Sequence, residues 1–302
     1  MTLPATPLDW TVGLIGYGEV GRILAEDLRA QGVAVVAFDL KLGTAAGRAL
    51  AAHADAQGVA LAGDHVQLAH RSDFVISAVT ASQTVAVAAA CATGMRAGAF
   101  YLDFNSASPG AKQQAAALID ATGARYVEGA VMTSVPPYRI KVPLLLGGAH
   151  AAQLAEKINP LGFAAQVASE RIGVASATKM CRSVMIKGLE ALVIESYTAA
   201  RAYGVEDYVL PTLQETFPSI DWTEQGRYFY SRVVQHGRRR AEEMREVANT
   251  VREAGFEPWM AAATAEKQDW VAGLAAQGLF ADVEAAGGWQ AYADRLIARA
   301  RD

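Results

Sequence analysis

Through its first 170 residues the chain alternates short, continuous apolar runs with amphipathic stretches, and this restricts the fold more than any other feature. The runs at residues 11–15, 33–39, 74–79 and 99–103 are short, rich in β-branched and aromatic residues, and bounded by Gly, Asp or Ser, as buried strands are. Between them, residues 19–31, 44–57, 82–93 and 109–122 carry helical periodicity. Strands separated by helices are joined by crossovers, which gives a mostly parallel sheet with helices on both faces. Two more strands are expected at 142–146 and 164–167, around a helix at 151–159. After about Arg171 strand patterns cease, and helical periodicity fills 175–203, 207–217, 224–254 and 258–277, the later stretches breaking into shorter helices. The expectation is an α/β domain over residues 1–170 and an all-α domain over 171–302, linked by a long helix.

At the first strand–helix junction stands VGLIGYGEVGR, residues 12–22, with Gly16, Gly18 and Gly21 at GxGxxG spacing. A strand before it and a helix after it make this the turn of a dinucleotide-binding (Rossmann) domain. Gly16 allows the tight turn, Gly18 lets a pyrophosphate approach the backbone, and Gly21 lets the helix pack on the sheet. The helix opening near Glu19 and Val20 offers free N–H groups and a positive dipole end to phosphates, with Tyr17 inside the turn. Asp39 closes the second strand, where a carboxylate accepts hydrogen bonds from an adenosine ribose. The same charge repels a 2′-phosphate, so NAD is favoured; Lys41 and Arg48 keep NADP open by offering a nearby cation.

Composition excludes several other classes. A net charge of −4 over 302 residues, with a pI near 5.8, argues against a nucleic-acid binder. No apolar run reaches the ~18 residues of a membrane span, and the opening MTLPATPLDW predicts no signal peptide. Cys91 and Cys181 are too far apart in sequence to suggest a disulfide framework or a metal site. A cytoplasmic setting is expected.

Three further stretches complete a pattern: AVTAS at 78–82, LDFNSASP at 102–109 and RIGVASATKMCRS at 171–183. Together with the glycine turn they resemble the β-hydroxyacid dehydrogenase family, which includes 3-hydroxyisobutyrate and 6-phosphogluconate dehydrogenases. The resemblance covers nearly the whole chain and implies a homodimer that moves a hydride between NAD(P) and a small anionic β-hydroxyacid or polyol acid. DFNSASP is similar to the family's Asp-x-Ser-Thr-x-x-Pro, which implies that Asn105 and Ser106, with Val79 and Thr80, lie on the nicotinamide side. Ser108 also reads as the N-cap of the helix starting at Pro109. Lys179 matches the family's lysine in Gly-x-x-x-x-x-Lys and is the expected general acid/base. Helical spacing stacks Ser183 and Lys187 beyond it, with Arg182 to the side, as substrate contacts.

The substrate side departs from the family. Its Asp-Ala-Pro-Val-Ser-Gly-Gly loop appears as EGAVMTS, residues 128–134, so Met132, Thr133 and Ser134 stand where Ser-Gly-Gly holds a carboxylate. Two asparagines that usually follow the lysine are Arg182 and Ser183, and a C-terminal Lys-Asp-Leu becomes Glu242-Glu243-Met244. His236, Arg239 and Arg240 either reach an anionic substrate group or pair with Glu242, Glu243 and Glu246 on a solvated helix. The other histidines read as surface or helix-end residues. Two alternatives follow from the altered loop: an imine or aldehyde reductase on the same scaffold, or a non-catalytic dinucleotide sensor.

Overall fold

The structure, a computed structural model, describes residues 3–283 and 288–301. An eight-stranded sheet is built from β1 Thr11–Ile15, β2 Ala34–Phe38, β3 Ala60–Leu61, β4 Phe74–Ser77, β5 Phe100–Asp103, β6 Arg125–Val131, β7 Pro143–Gly147 and β8 Ala164–Ser169. Its order is β3-β2-β1-β4-β5-β6-β7-β8, and every neighbouring pair is parallel except β6 with β7. The chain leaves β1 toward one edge and returns to its other side at β4. That reversal is the switch point at which open α/β sheets bind ligands.

Seven helices accompany the sheet: α1 Glu19–Ala30, α2 Arg48–Ala56, α3 His65–Arg71, α4 Thr84–Ala92, α5 Pro109–Asp120, α6 Val135–Tyr138 and α7 Ala151–Ile158. Alternating strand residues feed two separate cores, as a sheet covered on both faces requires. Leu14, Ile76 and Leu102 pack with Leu24 and Leu28 of α1 and Leu154 of α7. Ile15, Val75 and Tyr101 pack with Leu68 of α3, Val87 of α4 and Ile119 of α5.

The rest of the chain is helical: α8 Val174–Tyr203, α9 Glu206–Thr216, α10 Trp222–Glu253, α11 Trp259–Ala276 and α12 Trp289–Arg301. A third core gathers Ile194 and Tyr197 of α8, Tyr230 and Val233 of α10, Val271 of α11 and Trp289 of α12. The chain forms two compact units, Met1–Met180 and Cys181–Asp302, divided within α8. No described helix is long and apolar enough to cross a membrane.

Two expectations are corrected. Residues 128–131, read as part of a loop, are the second half of β6, and only Met132, Thr133 and Ser134 lie beyond the strand. The pattern was hidden because Glu128 and Gly129 break the apolar run, yet both are buried. The stretch 224–254, expected to break, is one 32-residue helix. Its internal glycines are packing points: a Cβ at Gly226 would lie 2.7 Å from the Tyr197 ring, and one at Gly237 2.7 Å from the Gln268 carbonyl oxygen. Asp221 caps its start, its carboxylate accepting from the Glu224 N–H at 2.9 Å.

Candidate functional site

The glycine turn explains two of its three glycines by itself. Gly16 has φ +87°, and a Cβ there would sit 2.3 Å from the Ala78 carbonyl oxygen. A Cβ on Gly21 would sit 2.2 Å from the Gly16 oxygen, where α1 crosses the turn. Gly18 differs: nothing lies within 4 Å of its absent Cβ. It is also the N-cap of α1, and no side chain caps that helix. Space beside the backbone and an uncapped, electropositive helix end are the two things a pyrophosphate needs.

Asp39 ties this turn to the end of β2. Its Oδ2 accepts from the Tyr17 N–H and its Oδ1 from the Lys41 N–H, both at 2.9 Å. Each oxygen keeps a lone pair for a ribose hydroxyl. The Tyr17 side chain is buried, and its hydroxyl meets His53 Nδ1 at 2.9 Å. Burial above all, then the Glu26 charge, pushes that hydroxyl up to about 12, so it stays protonated. His53 Nε2 faces Glu26 at 2.9 Å, and Arg139 binds both Glu26 (2.7 Å) and Asp27 (2.8 Å). His53, expected at the surface or a helix end, lies in the last turn of α2, half-buried inside a chain of hydrogen bonds.

At the carboxyl ends of β4 and β5 the sequence-predicted residues are brought together. Asn105 is buried; its Oδ1 accepts from the Val79 N–H at 2.7 Å and its Nδ2 donates to Ser77 Oγ at 3.0 Å. The amide therefore clasps the two strand ends and fixes Val79 and Thr80, while Ser106 beside it stays half-buried. Lys179 Nζ donates to Ser106 Oγ at 2.5 Å. Ser108 caps α5 as expected, accepting from the Ala111 N–H at 3.3 Å.

Below this loop lies a pair that sequence reasoning missed. Lys112 is fully buried and reaches Asp103 Oδ1 at 2.8 Å and the Asp103 carbonyl oxygen at 2.9 Å. Asp103 also accepts from the Tyr126 hydroxyl at 2.7 Å and the Asn105 N–H at 3.0 Å. Burial, then the Asp103 charge, holds the Tyr126 hydroxyl well above its ordinary value, which keeps it a donor. A lysine in a helical Lys-Gln-Gln run reads as solvated; only its place in the first turn after Pro109, under the β5 end, hints otherwise.

The remaining candidates divide. Met132 is half-buried, Thr133 and Ser134 are exposed, and α6 follows directly. In the second unit Arg182 is exposed and Ser183 buried. Lys187 Nζ is held by Glu243 at 2.5 Å. Arg240 turns inward to Glu190 of α8, which Gln268 also contacts at 3.1 Å. Arg239 is exposed, His236 half-buried and Arg240 buried.

Comparison with known proteins agrees with this geometry. A family model described as the NAD binding domain of 6-phosphogluconate dehydrogenase matches residues 11–160, and a domain of unknown function, DUF1932, matches residues 200–271. A solved conserved hypothetical protein from Sinorhizobium meliloti 1021 is 37% identical, with a TM-score of 0.77 over 97% of each chain. A second solved protein, of unknown function but structurally similar to 3-hydroxyacid dehydrogenases, is 32% identical with a TM-score of 0.68, over 89% of this chain and 99% of that one. An uncharacterized 28.5 kDa protein of Methanothermus fervidus is 29% identical over 167 residues, a match spanning 53% of this chain and 61% of that protein's length. With a nucleotide-binding first half and relatives of this identity along nearly its full length, the chain belongs to the β-hydroxyacid dehydrogenase family and carries that family's NAD(P)-binding domain.

Proposed function

We propose that the protein is an NAD(P)-dependent oxidoreductase acting on a small anionic β-hydroxyacid or related polyol acid, with Lys179 as general acid/base. The observation that carries this reading is the 2.5 Å contact of Lys179 Nζ with Ser106 Oγ. It brings an ionisable group to the strand-end loop at the edge of the nucleotide crevice.

The N–H groups of Gly18, Glu19, Val20 and Gly21 would hold the pyrophosphate and Asp39 the adenosine ribose. Val79, Thr80 and the Asn105–Ser106 loop would flank the nicotinamide. Asp39 opposes a 2′-phosphate, which favours NAD, with Lys41 the residue that would admit NADP. A nicotinamide held by these residues would supply or accept the hydride. Ser106 holds the Lys179 ammonium, which donates a proton to the substrate oxygen during reduction; the neutral amine takes the hydroxyl proton during oxidation. Met132, Thr133 and Ser134, with Arg182, Ser183 and Lys187 on α8, are proposed as substrate contacts. Residues 1–170 would serve the cofactor and 171–302 the substrate and a homodimer contact, in a cytoplasmic enzyme.

Lys179→Ala tests the assignment. With NADH and a reducible carbonyl acid, kcat should fall by roughly 10²–10⁴-fold while NADH affinity stays within about twofold. Unchanged turnover removes Lys179 from the mechanism.

A further inference from the structure

Glu128 is a fully buried carboxylate that the reaction as described does not use. It stands on β6, yet both its oxygens are spent on the first turn of α8. Oε1 accepts from the Gly173 N–H at 2.8 Å and the Ala175 N–H at 3.0 Å, and Oε2 from Ser176 Oγ at 2.9 Å. Its neighbours are shaped around it. A Cβ on Gly147 of β7 would sit 2.3 Å from Oε1, so a glycine there is what leaves the carboxylate room.

Helix starts are usually capped by a nearby Ser, Thr, Asp or Asn. Here the cap comes from 45 residues upstream, on a strand of the sheet, and it carries a full charge. Two consequences follow. The start of α8 is pinned to the sheet, which fixes where Lys179 emerges. A bare helix N-terminus would disfavour an ammonium in the next turn, and a carboxylate at that terminus offsets the effect. No acidic residue of α8 itself lies in its first turn. Of the groups packed around, Asp103 lies opposite Glu128 in the sheet register and is neutralised by Lys112; Ser106 faces Lys179 from the β5–α5 loop. Arg171 is exposed just before the helix, and Arg182 follows Lys179 on it.

We propose that Glu128 is a positioning residue for Lys179: it anchors α8 to the sheet, and its charge favours the proton-donating ammonium form of Lys179. Reduction would then stay efficient to higher pH, and oxidation would need more alkaline conditions. The inference rests on the reading of Lys179 as the acid–base group.

The test is trace acetylation of the full chain with acetic anhydride across pH 6–11, following the Lys179 peptide by mass spectrometry. The titration midpoint of Lys179 is expected to fall in Glu128→Gln by on the order of half a pH unit, as removal of a unit charge from the helix foot about one turn before Lys179 would produce. Glu128→Asp, which keeps the charge, should restore it. Should Glu128→Gln fail to fold, Arg171→Glu replaces a positive by a negative charge at the exposed foot of α8 and should raise the midpoint by about a few tenths at low salt. A midpoint unmoved in folded Glu128→Gln, or in Arg171→Glu, overturns the proposal. Because the labelling needs no substrate, its outcome is separate from the Lys179→Ala assay of the catalytic role.

Discussion

Gly18 is the glycine whose smallness the protein's own packing does not require, whereas Gly16 and Gly21 are held against backbone carbonyls. Substitutions should therefore divide stability from binding. Gly16→Ala forces a side chain into a left-handed conformation and onto the Ala78 oxygen, and should destabilise the fold by roughly 2 kcal/mol or more. Gly18→Ala should leave the melting temperature within about 3 °C but weaken NADH binding roughly tenfold or more, near 1.4 kcal/mol. Fluorescence titration and thermal unfolding of both variants check this; equal losses of affinity and stability in the two would contradict it. At this scale the sequence was most informative where function depends on a local pattern. The glycines and Asp39 are recognisable from their spacing, and Lys179 from the resemblance of its segment to the family's motif. Lys112 and Glu128 are not, because each is defined by partners on other elements: Asp103 and Gly129 for one, the foot of α8 for the other.

Among the elements, the segment after β6 is the one held under strain. Arg139, at φ +54°, is the one non-glycine residue with positive φ among those described. Such a conformation costs about 1 kcal/mol and persists where contacts over-determine it. Here Glu26 and Asp27 of α1 bind the guanidinium, and Asp27 also accepts from the Ile140 N–H at 3.0 Å. The hydrogen bond from Arg139, then that from His53, holds the Glu26 carboxyl below its usual 4.5. A lowered carboxyl value means the stabilisation is present above the ordinary carboxylate range and is lost as pH falls through the folded value. Glu26→Gln should thus melt about 1–3 °C below wild type at pH 7, a modest figure because the pair is partly solvated. Below pH ~4.5 the two curves should converge; a gap that widens with acid would refute the assignment. The neighbouring β6 shows why strands were unevenly legible. β1, β4 and β5 announce themselves as unbroken apolar runs, while β6 buries a carboxylate whose hydrogen bonds come from far along the chain.

For the whole molecule, the class of each unit was readable from periodicity, and the pairings inside the helical unit were not. Lys187 with Glu243 and Glu190 with Arg240 cross-link α8 and α10 in antiparallel register, which requires knowing that the two helices pack. The nucleotide-binding half resembles its family, and the residues proposed to face the substrate, Met132, Thr133, Ser134, Arg182 and Ser183, depart from it. The most direct measurement is NADH oxidation at saturating cofactor against a panel of small β-keto acids, aldehydes and preformed imines, with wild type and Lys179→Ala run side by side. The account predicts turnover of a carbonyl acid without added amine, abolished by the substitution. Turnover of imines alone, or tight NADH binding with no turnover of any compound, would contradict it.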